Sequence, residues 1–360
     1  MMKMRRSTLR LTASSFAIVI AAVASAESYQ CVVWGPIPGF THYTMHGAGD
    51  NALMSGSVRN GFSEPQKAIY RTEIGYKMMH PSGWHSSVIM DSWGSTYHCG
   101  YGAVTDPSAS RALFWIGGGS AVDLHPAGYT DSLALGGGGQ LQVGYVVDDE
   151  IVCEECGTTM QAHASSWSRT AASFRRLHSL THKNTAAVGT DGTAIVGYGI
   201  HRTDGSLNAL YWKSGTAMGV NIRPSGSTQS QANSVWGTQQ GGYFQSSGTG
   251  GFPHGCIWAG TAASVIDLNP GAAFRNSEVL SVRDGLQVGF GNPLSNTGKN
   301  QAIAWHGSAA TWINLHARLP SQFATWSSRA VDIDNLGNIV GFISEPGSVS
   351  SRAVVWYRVN

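Results

Sequence analysis

One spacing constrains this chain more than any other. Seven times a small residue begins a short apolar run that ends on an aromatic ring, at intervals of 45 to 52 residues. The members are Ala68 to Tyr70, Ala112 to Trp115, Ala164 to Trp167, Ala209 to Trp212, Cys256 to Trp258, Ala302 to Trp305 and Ala353 to Trp356. A period of this size is that of one four-stranded propeller blade. A second series shares the period: Gly100-Tyr101, Gly144-Tyr145, Gly197-Tyr198, Gly242-Tyr243, Gly289-Phe290 and Gly341-Phe342, with Gly56 a degenerate seventh member. A third series is His80-Pro81, His125-Pro126, Arg223-Pro224 and Asn269-Pro270, with His178 and His316 at the same site without proline.

Each unit therefore reads as four strands. The first ends in the aromatic residue and the second in the His-Pro site. The third leads into a tight turn, and the fourth carries the glycine. Asp191-Gly192 and Asp284-Gly285 are turn residues suited to a hairpin between strands three and four. The blade count follows from the chain ends. Pro36 lies 20 residues before Gly56, and the later prolines lie 18 to 19 residues before their own glycines. Cys31 to Trp34 is thus a strand two whose strand one is Ala353 to Trp356. The reading is an all-β, seven-bladed β-propeller closed by pairing of N- and C-terminal strands, spanning residues 27–360. A six-bladed ring with an extra sheet and an open array are the alternatives.

The series resembles the HAF-type extracellular repeat. The matches are Ala302 to Gly341, with Ser328, Ala330, Ile333 and Gly337 to Gly341, and Ala112 to Gly144, with Val122 to Leu124. The resemblance covers nearly all of the chain after residue 26, each unit loosely. It implies export and a propeller-like fold, and no defined reaction.

Residues 1–26 read as a signal peptide. Lys3, Arg5, Arg6 and Arg10 precede a short apolar run and the small residues Ala24 to Ala26. Removing those four charges turns the formal net charge of +2 into −2. The apparent basicity leaves with the leader, which argues against a nucleic-acid partner. The expectation is a secreted or periplasmic protein with no membrane insertion in its mature form. Charged residues are only 12% of the chain and glycines number 46, which favours short strands and turns over helices. The five cysteines, Cys31, Cys99, Cys153, Cys156 and Cys256, leave an odd thiol. Cys153 and Cys156 are expected to form a local disulfide in the acidic loop that begins at Asp148. No cofactor is expected, although calcium or zinc at that loop remains an alternative.

The two faces of such a ring differ. The connections from strand two to strand three and from strand four to strand one are the longer ones, Val146 to Gln161 above all. Function is expected on their face. The candidate ligand-binding residues there are His42, His80, Trp84, His85, His125, Tyr129, His178, His182, Arg275 and His316, expected around the mouth of the central channel. Imidazoles can donate, accept or bind metal, and aromatic rings offer stacking surfaces. For His80, His125, His178 and His316 the repetition equally suits a structural hydrogen bond between blades.

No nucleophile elbow, zinc-peptidase motif or phosphate loop is present. The leading reading is a secreted propeller that binds an extracellular glycan or protein. Its rival is a lyase of uronate-containing polysaccharides. There a His or Tyr would act as base or acid and an Arg or His would neutralise the carboxylate, from a cast of His85, His125, Tyr129, His182, Arg223 and Arg275.

Overall fold

The computed structural model describes residues 27–359, leaving aside positions 62, 106–108, 154–156, 215, 296–297 and 349–350 and the side chains of 149–159. The expected leader and the Cys153–Cys156 pair lie outside the described part. Among the described residues no helix is long and apolar enough to cross a membrane.

The chain forms seven four-stranded antiparallel sheets. Their inner strands, His42–Gly49, Ser86–Trp93, Asp131–Gly138, His182–Thr190, Ser227–Trp236, Phe274–Arg283 and Ser327–Ile333, number blades 1 to 7. Each sequence unit is a circular permutation of a blade, because its third strand is the innermost one. Blade 7 is composite: Ser28–Val33 pairs with Ser351–Val359, with Cys31 opposite Trp356. The two ends of the chain thus share one sheet, as the proline spacing requires, and the ring closes by backbone hydrogen bonding.

Packing between blades explains the first sequence series. Trp115, Trp167, Trp212, Trp258, Trp305 and Trp356 are all fully buried. A ring of that size removes roughly 150–250 Å² from water, worth about 4–6 kcal/mol on area bookkeeping. Some of them also tie neighbours together. The indole N–H of Trp115 donates to the Met79 carbonyl at 3.0 Å and that of Trp356 to the Leu315 carbonyl at 2.9 Å.

Close approach explains the second series. Each inner strand carries a β-bulge, seen as a register break in all seven blades. The bulge pushes a carbonyl onto the glycine of the adjacent strand. A Cβ on Gly56, Gly100, Gly144, Gly197, Gly242, Gly289 or Gly341 would lie 1.8 to 2.0 Å from that oxygen. Glycine recurs there because no side chain fits. Gly56 meets the same contact, so it is a full member of the series. The hairpin after the sixth inner strand has φ of 48° at Asp284 and 84° at Gly285, the conformation its Asp-Gly sequence favours.

One connection differs from its reading as a long loop. In blade 3 the strands Leu141–Cys153 and Gly157–Trp167 continue past the inner strand, whose pairing stops at Asp131 opposite Val147. The segment Val146 to Gln161 is therefore mostly the end of a hairpin that overreaches its blade. Alternation of polar and apolar residues is weak there, because the extension has no third strand to pack on.

Candidate functional site

The bulges line the channel. The unpaired residues, one per blade, are His46, Met90, Leu135, Val188, Asn233, Leu280 and Val331. All seven line both a cavity of about 290 Å³ toward one face and one of about 400 Å³ toward the other. They form a mostly apolar constriction between two vestibules. Burial lowers the His46 imidazole to about 4, so it is neutral at pH 7. The first vestibule also holds Asp91 and Asp332. The oxygens of Asp332 accept from the Ser281 hydroxyl at 2.7 Å and from the Ile333 and Ala48 amides at 2.8 and 2.7 Å. Those of Asp91 accept from the Ser92 and Gly137 amides at 2.7 and 2.8 Å. Burial raises both carboxyl pKa values, and for Asp91 the neighbouring Asp332 raises it further. Their hydrogen bonds join adjacent blades, which is a structural use of a buried acid.

None of the candidate histidines lines this channel. His80, His125, His178 and His316 lie instead just past the outer strands, along the seams between blades, because that repeated site ends the strand farthest from the axis, whereas His42 and His182 open inner strands and His85 directly precedes one. At six seams a hydroxyl on the inner strand accepts the amide of the preceding blade's third strand. Ser87 accepts from Ala68, Ser132 from Ala112, Thr185 from Ala164, Ser230 from Ala209, Ser277 from Gly255 and Ser328 from Ala302, at 2.8 to 3.0 Å. The ring-closing seam reverses the roles. The Ser351 hydroxyl, on a third strand, donates to the Tyr43 carbonyl at 2.7 Å and accepts its amide at 3.1 Å.

Three candidates brace these staples. Nδ1 of His80, His125 and His316 lies 2.8 Å from the hydroxyl of Ser87, Ser132 and Ser328 respectively. Nε2 of the same rings lies 3.0 to 3.2 Å from the carbonyls of Trp84, Tyr129 and Ala324. A carbonyl only accepts, so Nε2 carries the proton and Nδ1 accepts from serine. The neutral imidazole satisfies every group. Burial lowers the pKa of His80 and His316 and so favours that form. Asn269 does the same work at the seam of blades 5 and 6, accepting from Ser277 at 3.0 Å.

The remaining candidates scatter. His42 is buried beside the Thr41 hydroxyl at 3.1 Å. Trp84 packs on a core cluster that includes Met79 and Trp115, and the exposed His85 donates its amide to Ala103 at 2.8 Å. Tyr129 tilts against Phe174 at 5.2 Å. Arg223 donates to the Ser206 hydroxyl at 2.7 Å, and Arg275 lies over Phe252 at 5.2 Å.

The seam of blades 3 and 4 unites two candidates, and like the seam of blades 4 and 5, where Arg223 holds the repeat position and turns to Ser206, its staple carries no such brace. Thr185 keeps the staple, but His178 does not brace it. The His178 backbone instead pairs with blade 4, its amide donating to Ala217 at 2.7 Å and its carbonyl accepting from Gly219 at 2.9 Å. His182 is turned inward, with Nδ1 near Ser179 and Thr181 at 2.8 and 3.0 Å and Nε2 accepting from Asn208 at 3.0 Å. Burial lowers it to about 4, helped by His201, Arg223 and Arg202.

Two hollows open along this seam. One, of about 110 Å³, is lined by His178 and His182 with Arg176, Lys183 and Arg202. The other, of about 480 Å³, lies against the overreaching hairpin and is lined by Tyr145, Val147, Met160, Ala186, Tyr198 and Ile200. Ala162 and Asn184 line both. Asn184 adopts φ of 47° and accepts the Ala162 amide on its side-chain oxygen at 3.1 Å, so it forms the partition. Arg202, Met160 and the two tyrosines were not among the sequence candidates. The tyrosines belong to the repeat and read as scaffold. The length of the Val146 to Gln161 connection was the signal pointing here.

No protein-family model matches the chain, and no curated protein matches it. Solved structures do. A puromycin hydrolase superposes with a TM-score of 0.54 at 11% identity, over 91% of this chain and 55% of that one. The β-propeller domain of the Trilobed protease from Pyrococcus furiosus gives a TM-score of 0.39 at 11% identity, over 77% of this chain and 98% of that one. The chain spans about half the length of the hydrolase, and the likeness is one of fold. Strand order and blade count define a seven-bladed β-propeller, with staples along its seams and one seam opened into a double hollow.

Proposed function

We propose that this protein is an exported binding propeller, and that its extracellular ligand, a glycan or a protein, seats in the seam of blades 3 and 4. The observation that carries this is the double hollow beside the overreaching hairpin. A concave, largely apolar site with a few converging polar groups, on a rigid scaffold, is what small or flexible ligands need.

The lyase reading has less support. It needs base, acid and carboxylate-binding groups within reach of one carbon. His125 is engaged with Ser132 between blades 2 and 3, His182 lies in blade 4, and Arg275 lies over Phe252 between blades 5 and 6. The cast does not assemble.

The test is retention of the purified protein on a panel of immobilised glycans and peptides, compared with a Met160→Asp variant. Met160 is exposed, so the change leaves the fold intact while placing a charge in the larger hollow. Retention lost in the variant supports the site. Retention unchanged moves the ligand elsewhere.

A further inference from the structure

We infer that the seam of blades 3 and 4 takes an anionic group joined to an apolar body, the anion in the smaller hollow and the body in the larger. This rests on the reading above for the place of the ligand, and turns its chemistry away from a glycan.

The charge argument comes first. Three cations line the smaller hollow: Arg176, Lys183 and Arg202. Among the described residues no carboxylate lines either hollow. Asp148 lies nearby but is engaged, 2.7 Å from His163 and 3.7 Å from Arg176. Asp204 is likewise engaged, 3.0 Å from His201 and 3.7 Å from Arg223. Lys183 and Arg202 are exposed and have no ion pair among the described residues. Asp148 offsets Arg176, so Lys183 and Arg202 are the cations left to a ligand around about 110 Å³, a local excess in a chain with only 12% charged residues. A space of that size suits one carboxylate, with guanidinium groups as its natural partners.

The shape argument is independent. The larger hollow is walled by Val147, Met160, Ala186 and Ile200, with the rings of Tyr145 and Tyr198. Burial raises both phenols, which stay protonated and neutral. Aliphatic walls favour an alkyl or aryl group over a sugar ring, whose hydroxyls would lose water without replacement. The shared residues Ala162 and Asn184 put the two hollows side by side, so one short molecule can reach both. His182 is neutral at pH 7, hence a positioning group for the seam and not a fourth cation.

Such chemistry has two sources: a free organic acid with an apolar tail, or the C-terminal residue of a polypeptide. Four probes separate them by titration calorimetry on the full chain at low salt. They are 4-phenylbutyrate, its amide, a pentapeptide ending in leucine with a free carboxylate, and the same peptide amidated. Trigalacturonate is the control acid without an apolar body.

The expected result is binding of at least one free carboxylate. Its amide should bind at least tenfold more weakly. The double variant Lys183→Ala with Arg202→Ala should lose at least tenfold for the acid and leave the amide unchanged. Phenylbutyrate without the peptide assigns the site to free acids, and the reverse assigns it to chain ends. Preference for trigalacturonate, lost in the double variant, overturns the apolar body while leaving the seam as the site. Equal binding of acid and amide overturns the anion. Binding that neither the double variant nor Met160→Asp alters overturns the seam itself. Melting curves of each variant, expected within a degree or two of the parent, keep folding out of the comparison.

Discussion

The seam of blades 2 and 3 and the seam of blades 3 and 4 begin from the same repeat and end differently. In the first, Ala112 donates to Ser132, Ser132 faces His125, and His125 closes on the Tyr129 carbonyl. These polar groups are used inside the scaffold. In the second, Ala164 still donates to Thr185, but the ring of His178 makes no such bond, and the space between the blades becomes two hollows. A β-branched threonine in place of serine, and the loss of the proline after the histidine, accompany the change. The difference teaches that a residue repeated in sequence can be scaffold at one seam and lining at another. What its neighbours leave unsatisfied decides which.

The largest effect tests what the seams share. Gly100→Ala and Gly144→Ala should be equally damaging, on the order of 4 kcal/mol or more, because in both a Cβ meets an inner-strand carbonyl below 2 Å. Urea unfolding would read this. A tolerant Gly144 would mean that the open seam loosens the bulge itself, and the comparison would have to extend to the channel.

Next comes pH. The folded His182 titrates at about 4 against its ordinary 6.5, so the unfolded chain takes up a proton that the folded chain refuses. Its contribution is complete above pH 6.5 and is lost as the pH falls to 4, about 3 kcal/mol in all. His182→Asn should therefore show a stability deficit at pH 7 that shrinks by about that amount at pH 4. His46 and His98, also lowered to about 4, are common to both proteins and cancel. A deficit that does not change with pH would break the assignment of His182 as a buried neutral ring.

Smaller still, and closest to the comparison, is the brace. His125→Ala should cost about 2 kcal/mol, since it strands a serine hydroxyl and a partly buried carbonyl. His178→Ala should cost under about 0.5 kcal/mol, because its backbone makes the contacts. Equal costs, measured by thermal and urea unfolding, would erase the distinction between the two seams.

The smallest effect is on the cleft. Lys183→Ala and Arg202→Ala should shift stability by no more than about 0.5 kcal/mol, since both are exposed and neither has an ion pair among the described residues. A clear loss of stability would make them scaffold and remove them from the site.

Architecture was legible from the amino-acid order, for a physical reason. A blade cannot bury its faces alone, so every blade must repeat the same contacts, and repetition writes period into sequence. The tryptophans recur because each fills a gap between blades, and the glycines recur because each meets a bulge. The displaced Pro36 showed which terminal segments share a sheet. The site was not legible in the same way. The tyrosines at 145 and 198 carry the repeat's own signature, and nothing local separates them from Tyr101 or Tyr243. The expected convergence of histidines on the channel mouth failed geometrically. The sites that recur in sequence end the outermost strand of each blade, while the channel belongs to inner-strand bulges. Period alone determined the ring and its closure. Only the packing of blade against blade decided which histidines are consumed by the scaffold and which seam stays open, because that depends on contacts between residues that no single repeat contains.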